Sequence, residues 1–116
     1  MKIVNREAFL ALPAGTIYSE YEPSFFTGLF VKTSPPGYFT DDYGEQELIG
    51  NVKADSSEER FGVLDGAEAN GVPFALDFHS GSRNGMYESK QLYAVYEKAD
   101  IEGLISVLRD CLPFAN

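Results

Sequence analysis

The stretch from residue 91 to residue 112 constrains the fold more than any other part of the sequence. Residues 91–97 (Gln-Leu-Tyr-Ala-Val-Tyr-Glu) are rich in aromatic and β-branched side chains, which favour a strand, here one near the centre of a sheet. After Asp100, a predicted helix cap, apolar residues recur at helical spacing. A strand that leads into an amphipathic helix is typical of a domain in which helices pack on a sheet. The apolar positions are Ile101, Leu104, Ile105, Leu108 and Leu112.

Local signals elsewhere predict the remaining helices and strands. Asn5 is a predicted N-cap, and Ser56 with Glu59 forms a capping-box pattern for a second helix that ends at Asn70-Gly71. The sequence therefore predicts an α+β fold in a single small domain, residues 1–116. Its antiparallel or mixed sheet has about five strands, with two to three helices packed on one face. The predicted strands cover residues 16–22, 28–33, 47–53, 73–79 and 91–97, and the helices cover residues 6–12, 56–69 and the segment after Asp100.

Composition indicates a folded protein of the reducing interior of the cell. The chain has 116 residues, of which 44% are hydrophobic and 14% aromatic, as expected for one domain with one core. Its single cysteine, Cys111, cannot form an internal disulfide, and we expect it to act as a small core hydrophobe. The apolar run near the N-terminus is too short for a signal core or a membrane span. We predict a cytoplasmic protein that does not associate with membranes.

Most of the negative charge lies in one segment. The formal net charge is −9, and residues 41–68 alone contain nine acidic and two basic side chains, a net charge of −7. A sequence pI near 4.4 argues against direct nucleic-acid binding, because phosphate contacts need clustered lysine and arginine. A local acidic field favours a partner with a basic surface.

The acidic segment is the leading candidate for a binding site, with plain solvation of a charged surface as the alternative. Aromatic residues interleave with the acids after the break at residues 34–37 (Ser-Pro-Pro-Gly), and exposed aromatics act as anchors at interfaces. The spacing of the acids in residues 41–47 does not match a calcium loop, so no metal site is predicted. The predicted partner-binding residues are Tyr38, Phe39, Asp41, Asp42, Tyr43, Glu45, Glu47, Asp55, Glu58 and Glu59.

A second candidate site surrounds residues 79–85. Gly81–Gly85 (Gly-Ser-Arg-Asn-Gly) has the composition of an anion-binding turn, or simply of an Asn-Gly hairpin turn. The alternative function is thus binding of a small phosphate-containing ligand or cyclic nucleotide by His79, Ser82 and Arg83. The sequence has one histidine and no catalytic motif, so we expect neither an enzyme nor a cofactor.

Two stretches resemble proteins of a known kind. Residues 9–21 (Phe-Leu-Ala-Leu-Pro-Ala-Gly-Thr-Ile-Tyr-Ser-Glu-Tyr) and 92–105 (Leu-Tyr-Ala-Val-Tyr-Glu-Lys-Ala-Asp-Ile-Glu-Gly-Leu-Ile) are similar to short acidic proteins encoded by tailed phages and prophages. The resemblance implies an inhibitor of host defence, of the anti-CRISPR or anti-restriction type, that covers a nucleic-acid-binding surface of a host protein or sequesters a signal molecule. It carries over no catalytic residue and indicates no oligomeric state.

Overall fold

The computed structural model describes residues 1–39, 42–85 and 88–116. Within these residues six strands and three α-helices alternate irregularly along the chain, and a 3₁₀ turn at Leu112–Phe114 follows the last helix. The strands are β1 (Lys2–Asn5), β2 (Ile17–Glu22), β3 (Phe25–Lys32), β4 (Tyr43–Glu47), β5 (Ser82–Asn84) and β6 (Leu92–Val95). The helices are α1 (Arg6–Leu10), α2 (Ser57–Asn70) and α3 (Lys98–Cys111).

The six described strands form one antiparallel sheet in the order β1-β6-β2-β3-β4-β5. β6 lies between β1 and β2, so the predicted interior position of the C-terminal strand is confirmed. The β2–β3 hairpin is also confirmed, and its turn places Ser24 at a φ of 82°, in the left-handed region. The α+β class is therefore confirmed, with six strands where about five were predicted.

Phe9 of α1 lies at the centre of the core. Its ring stacks on Tyr93 of β6 with the centroids 3.9 Å apart and the planes inclined by 7°. Tyr18 of β2 and Tyr43 of β4 meet the same ring edge-on, with centroids 4.6 and 4.9 Å away. All four side chains are at most 2% exposed. One short helix therefore contacts the neighbouring strands β6 and β2 and also β4, which lies two strands beyond β2, and aromatic contacts join them.

Lys32 of β3 fixes the end of α1 to the sheet. Its side chain is buried, and Nζ donates hydrogen bonds to the carbonyl oxygens of Phe9, Leu10 and Leu12 at 3.1, 2.9 and 2.7 Å. These carbonyls lie at and just beyond the helix C-terminus, where intrahelical partners run out and a cation is favourable. Burial lowers the pKa of Lys32, since it disfavours the charged form.

The predicted caps of α1 and α2 are confirmed. The side chain of Asn5 accepts a hydrogen bond from the amide of Ala8, and Ser56 Oγ accepts one from the amide of Glu59. Helix α2 ends at Gly71 with a φ of 66°, the left-handed stop predicted for Asn70-Gly71. At α3 the cap lies earlier than predicted. Glu97 is the N-cap, and Asp100 is the third helical residue of a capping box.

The packing of the two long helices differs from the prediction that they cover one face of the sheet. Both lie wholly within the described residues, and neither α2 nor α3 has a buried side chain. Phe61 of α2 is 61% exposed, and Cys111, which we expected to be a core hydrophobe, is exposed. The core is instead formed by Phe9 of the short helix α1 together with tyrosines of the sheet.

Two predicted elements lie elsewhere in the structure. The strand expected at residues 47–53 forms earlier, at Tyr43–Glu47, and residues 73–79 make a single isolated bridge between Leu76 and Val52 where a strand was predicted. Residues 81–85 are not a hairpin turn. They contain β5, which pairs with β4 at the edge of the sheet.

We expect Lys32→Met to lower the free energy of unfolding by about 2–4 kcal/mol, because three buried carbonyl groups lose a charged donor. Urea denaturation followed by circular dichroism measures the change. Lys53→Met, at an exposed position, is the matched control and should change stability by less than about 0.5 kcal/mol. Equal stability of the two variants would contradict the role given to Lys32.

Candidate functional site

The residues predicted to bind a partner fall into three structural groups. Tyr38 and Phe39 line a surface groove, Tyr43, Glu45 and Glu47 belong to β4, and Asp55, Glu58 and Glu59 lie at the start of α2. Asp42 lies just before β4, and Asp41 is outside the described residues.

Asp42 and Arg83 form an ion pair that joins the two predicted sites. The Nε atom of Arg83 donates a hydrogen bond to Oδ2 of Asp42, and the guanidinium carbon lies 4.4 Å from the centre of the Phe39 ring. The Phe39 ring in turn meets Tyr38 edge-on at 4.8 Å. Asp42 is therefore engaged within the molecule, and its charge is matched by the arginine that was expected to bind an anion.

A groove of about 550 Å³ opens beside this ion pair. It carries aromatic rings, hydroxyl groups and the Arg83 guanidinium, a combination that suits a small ligand with a planar ring and an anionic group. Ser82 and Arg83 line the groove, whereas His79 is exposed and is not one of its lining residues. The lining residues are Thr33, Ser34, Pro35, Tyr38, Phe39, Gly44, Gly81, Ser82 and Arg83.

The prediction that Tyr43 is an exposed anchor is wrong. Its ring is 2% exposed and packs on Phe9 in the core, and its hydroxyl accepts a hydrogen bond from Asn84 at 3.1 Å. Burial, reinforced by nearby Tyr93, raises the pKa of Tyr43 far above its usual range. Tyr38, by contrast, is 68% exposed and remains available to a partner.

The acids of β4 are partly used inside the protein. Glu45 is half-buried and accepts a hydrogen bond from the hydroxyl of Tyr18 at 2.7 Å. Burial, followed by the nearby charges of Glu45 and Glu22, raises the pKa of Glu20 on the neighbouring part of the sheet. Glu47 is also half-buried. The carboxylates of β4 are therefore less accessible to a partner than the charge pattern of the sequence suggested.

Helix α2 carries four exposed carboxylates, those of Glu58, Glu59, Asp65 and Glu68. Glu58, Asp65 and Glu68 are exposed, and their helical spacing puts them on the same face as the exposed ring of Phe61. Glu59 has a structural role as well, because its carboxylate accepts the amide proton of Asp55 at 3.0 Å and completes the cap. The predicted site did not include Phe61, Asp65 or Glu68. The helical spacing of residues 58–68 already places these three side chains on the same face as Glu58.

Residues 1–39, 42–85 and 88–116 contain no group of three or more His, Cys, Asp or Glu side chains placed to hold a metal ion. The same part of the chain has no helix that is both long and apolar enough to cross a bilayer.

Comparison of the chain with protein-family models, with curated proteins and with solved structures gave no match.

We expect Tyr43→Ala to lower the free energy of unfolding by about 3–5 kcal/mol, since it empties part of the aromatic core. Tyr38→Ala removes the same side chain from an exposed position and should change stability by no more than about 0.5 kcal/mol. Thermal and urea unfolding of the two variants decide between a core and a surface role. A Tyr43→Ala variant as stable as the wild type would contradict the core role of Tyr43 and make it a candidate surface residue again.

Proposed function

We propose that the protein is a non-enzymatic binding protein whose acidic face docks on a basic surface of another protein. The observation that carries this proposal is the exposed face of α2, where Glu58, Asp65 and Glu68 surround the exposed ring of Phe61. A helix with no buried side chain contributes little to the core, so its surface is free to serve a partner.

Electrostatics favours such a partner over a neutral one. The three carboxylates are spread over about 15 Å of the helix, because ten residues separate Glu58 from Glu68 at about 1.5 Å per residue. A row of like charges of that length speeds the approach of a basic surface and fixes its orientation. The ring of Phe61 then supplies apolar contact area at the centre of the charged face.

The same charges bear on the kind of surface that is bound. Carboxylates on a helix compete for arginine and lysine side chains that otherwise hold phosphate groups, so a nucleic-acid-binding face of a host protein fits this site. The acidic face then acts as a nucleic-acid mimic. A phage-encoded inhibitor of host defence remains the prediction drawn from the resemblance of residues 9–21 and 92–105 to phage proteins.

Two variants that each remove three charges locate the binding face. We expect the α2 variant (Glu58→Gln, Asp65→Asn, Glu68→Gln) to bind basic partners at least about tenfold more weakly, because long-range attraction and close pairing are both lost. The β4 variant (Asp42→Asn, Glu45→Gln, Glu47→Gln) has the same net charge and should bind more like the wild type, since its acids are partly used inside the protein.

Capture from host lysate at low and high salt, quantified by mass spectrometry, provides the measurement. A polylysine-coated surface serves as a defined probe beside the lysate. Equal loss in the two variants would show that total charge and not the α2 face is responsible. Capture that does not change with salt concentration would overturn the electrostatic mechanism.

A second function rests on the groove beside Arg83. Its aromatic rings, Tyr38 and Phe39, and the Arg83 guanidinium favour a small phosphate-containing ligand such as a cyclic nucleotide. The ligand phosphate has to compete with Asp42, which already pairs with Arg83. This competition places the groove second to the α2 face.

Thermal-shift measurements with nucleotides, cyclic nucleotides and inorganic phosphate test the groove. If it binds such ligands, the melting temperature rises with ligand concentration, Arg83→Ala abolishes the rise, and Asp42→Asn enlarges it by releasing the guanidinium. Arg60→Ala, on an exposed part of α2, is the matched control. The absence of any shift in both the wild type and Asp42→Asn would remove the groove as a ligand site.

A further inference from the structure

No other element in the described part of the protein packs on the apolar face of α3. Leu104, Ile105 and Leu108 are 36%, 44% and 61% exposed, and Leu112 at the end of the helix is 70% exposed. They border a shallow groove of about 300 Å³ that is lined by Ile105, Leu108, Leu112 and Arg109. A row of large apolar side chains at helical spacing is the pattern of a helix that packs on another helix.

The chain exposes more surface than a compact monomer of its mass. The chain exposes 8165 Å², whereas a compact monomer of 12.8 kDa exposes roughly 6,300 Å². Its radius of gyration is 16.1 Å, against about 13 Å for a compact domain of this length. The excess of roughly 1,900 Å² lies in the range that each subunit of an obligate homodimer buries.

The charges on α3 identify a second copy of the same chain as the partner. Most of the negative charge of the protein lies in residues 41–68, and α3 itself is nearly neutral, with two basic and three acidic side chains. Glu102 and Arg109 flank the same side of the apolar row and are two helical turns apart. In an antiparallel pair of identical helices, each Glu102 meets Arg109 of the other copy. A parallel pair instead places the two copies of each residue on opposite sides of the contact, so Glu102 and Arg109 do not meet.

We propose that the protein forms a homodimer in which α3 pairs antiparallel with α3 of a second copy. The two-fold axis passes near Ile105, so that Leu104 and Leu108 of one helix fill the groove of the other, in the self-complementary manner of a two-fold interface. Two symmetry-related Glu102–Arg109 pairs set the direction and register of the helices. The acidic face of α2 takes no part in this contact.

Sedimentation equilibrium of the full chain over a range of concentrations tests the dimer. We expect the wild type to be dimeric and Leu108→Glu to be monomeric with an unchanged circular dichroism spectrum, because Leu108 is exposed in the single subunit. Arg109→Glu should weaken the dimer by about tenfold, as two attractive pairs become repulsive. The double variant Glu102→Arg, Arg109→Glu should restore the wild-type dissociation constant, since each exchanged charge again meets its opposite.

Two controls make the outcome decisive. Arg60→Glu places the same charge change on α2 and should leave the dimer intact. In the antiparallel dimer the two Cys111 residues are separated by about 17 Å along the helices, too far for a disulfide, so oxidation should give no cross-linked dimer. A wild type that is monomeric at every concentration, a dimeric Leu108→Glu variant, a double variant that is not restored, or rapid Cys111 cross-linking would each overturn the proposal.

Discussion

The contact on which the rest of the structure depends is the stack of Phe9 on Tyr93, with Tyr18 and Tyr43 meeting the same ring edge-on. The four rings come from one short helix and three strands, so the Phe9 ring is the centre of the contact between α1 and the sheet. A core this small stabilises only the elements that touch it. The two long helices contribute no buried side chain, and their exposed surfaces are therefore where binding functions are to be sought.

A core built from tyrosine has a consequence for the acids around it. Each buried hydroxyl needs a partner, and these are found at the margin of the core: Arg6 donates to Tyr93, Asn84 donates to Tyr43, and Tyr18 donates to Glu45. Burial raises the pKa of all three tyrosines, which keeps the hydroxyls protonated and able to donate. The carboxylate of Glu45 on β4 is thus part of the polar rim of the core, and its charge is only partly available to a partner.

The parts of the fold that the sequence predicted correctly are those decided within a few residues. The caps at Asn5 and Ser56 and the stop at Gly71 depend on local hydrogen bonds and on a positive φ. The errors concern contacts between distant residues. Asp42 meets Arg83 forty-one positions later, and no local pattern shows it. Tyr43 was predicted to be exposed because acidic residues surround it in the sequence. In the structure it lies on β4, on the same sheet face as Glu45, and its ring packs on Phe9.

The two long helices differ in a way that makes their proposed roles compatible. In the proposed function α2 carries the charge that meets a basic surface, and in the proposed dimer α3 carries the apolar row that pairs with a second copy. A dimer presents two acidic faces, which strengthens attachment to an extended or repeated basic surface by raising the effective concentration of the second site. It also brings together two chains of net charge −9, whose repulsion opposes association. The concentration of that charge in residues 41–68, away from α3, lowers this cost, and apolar burial along α3 has to supply the remainder of the association energy.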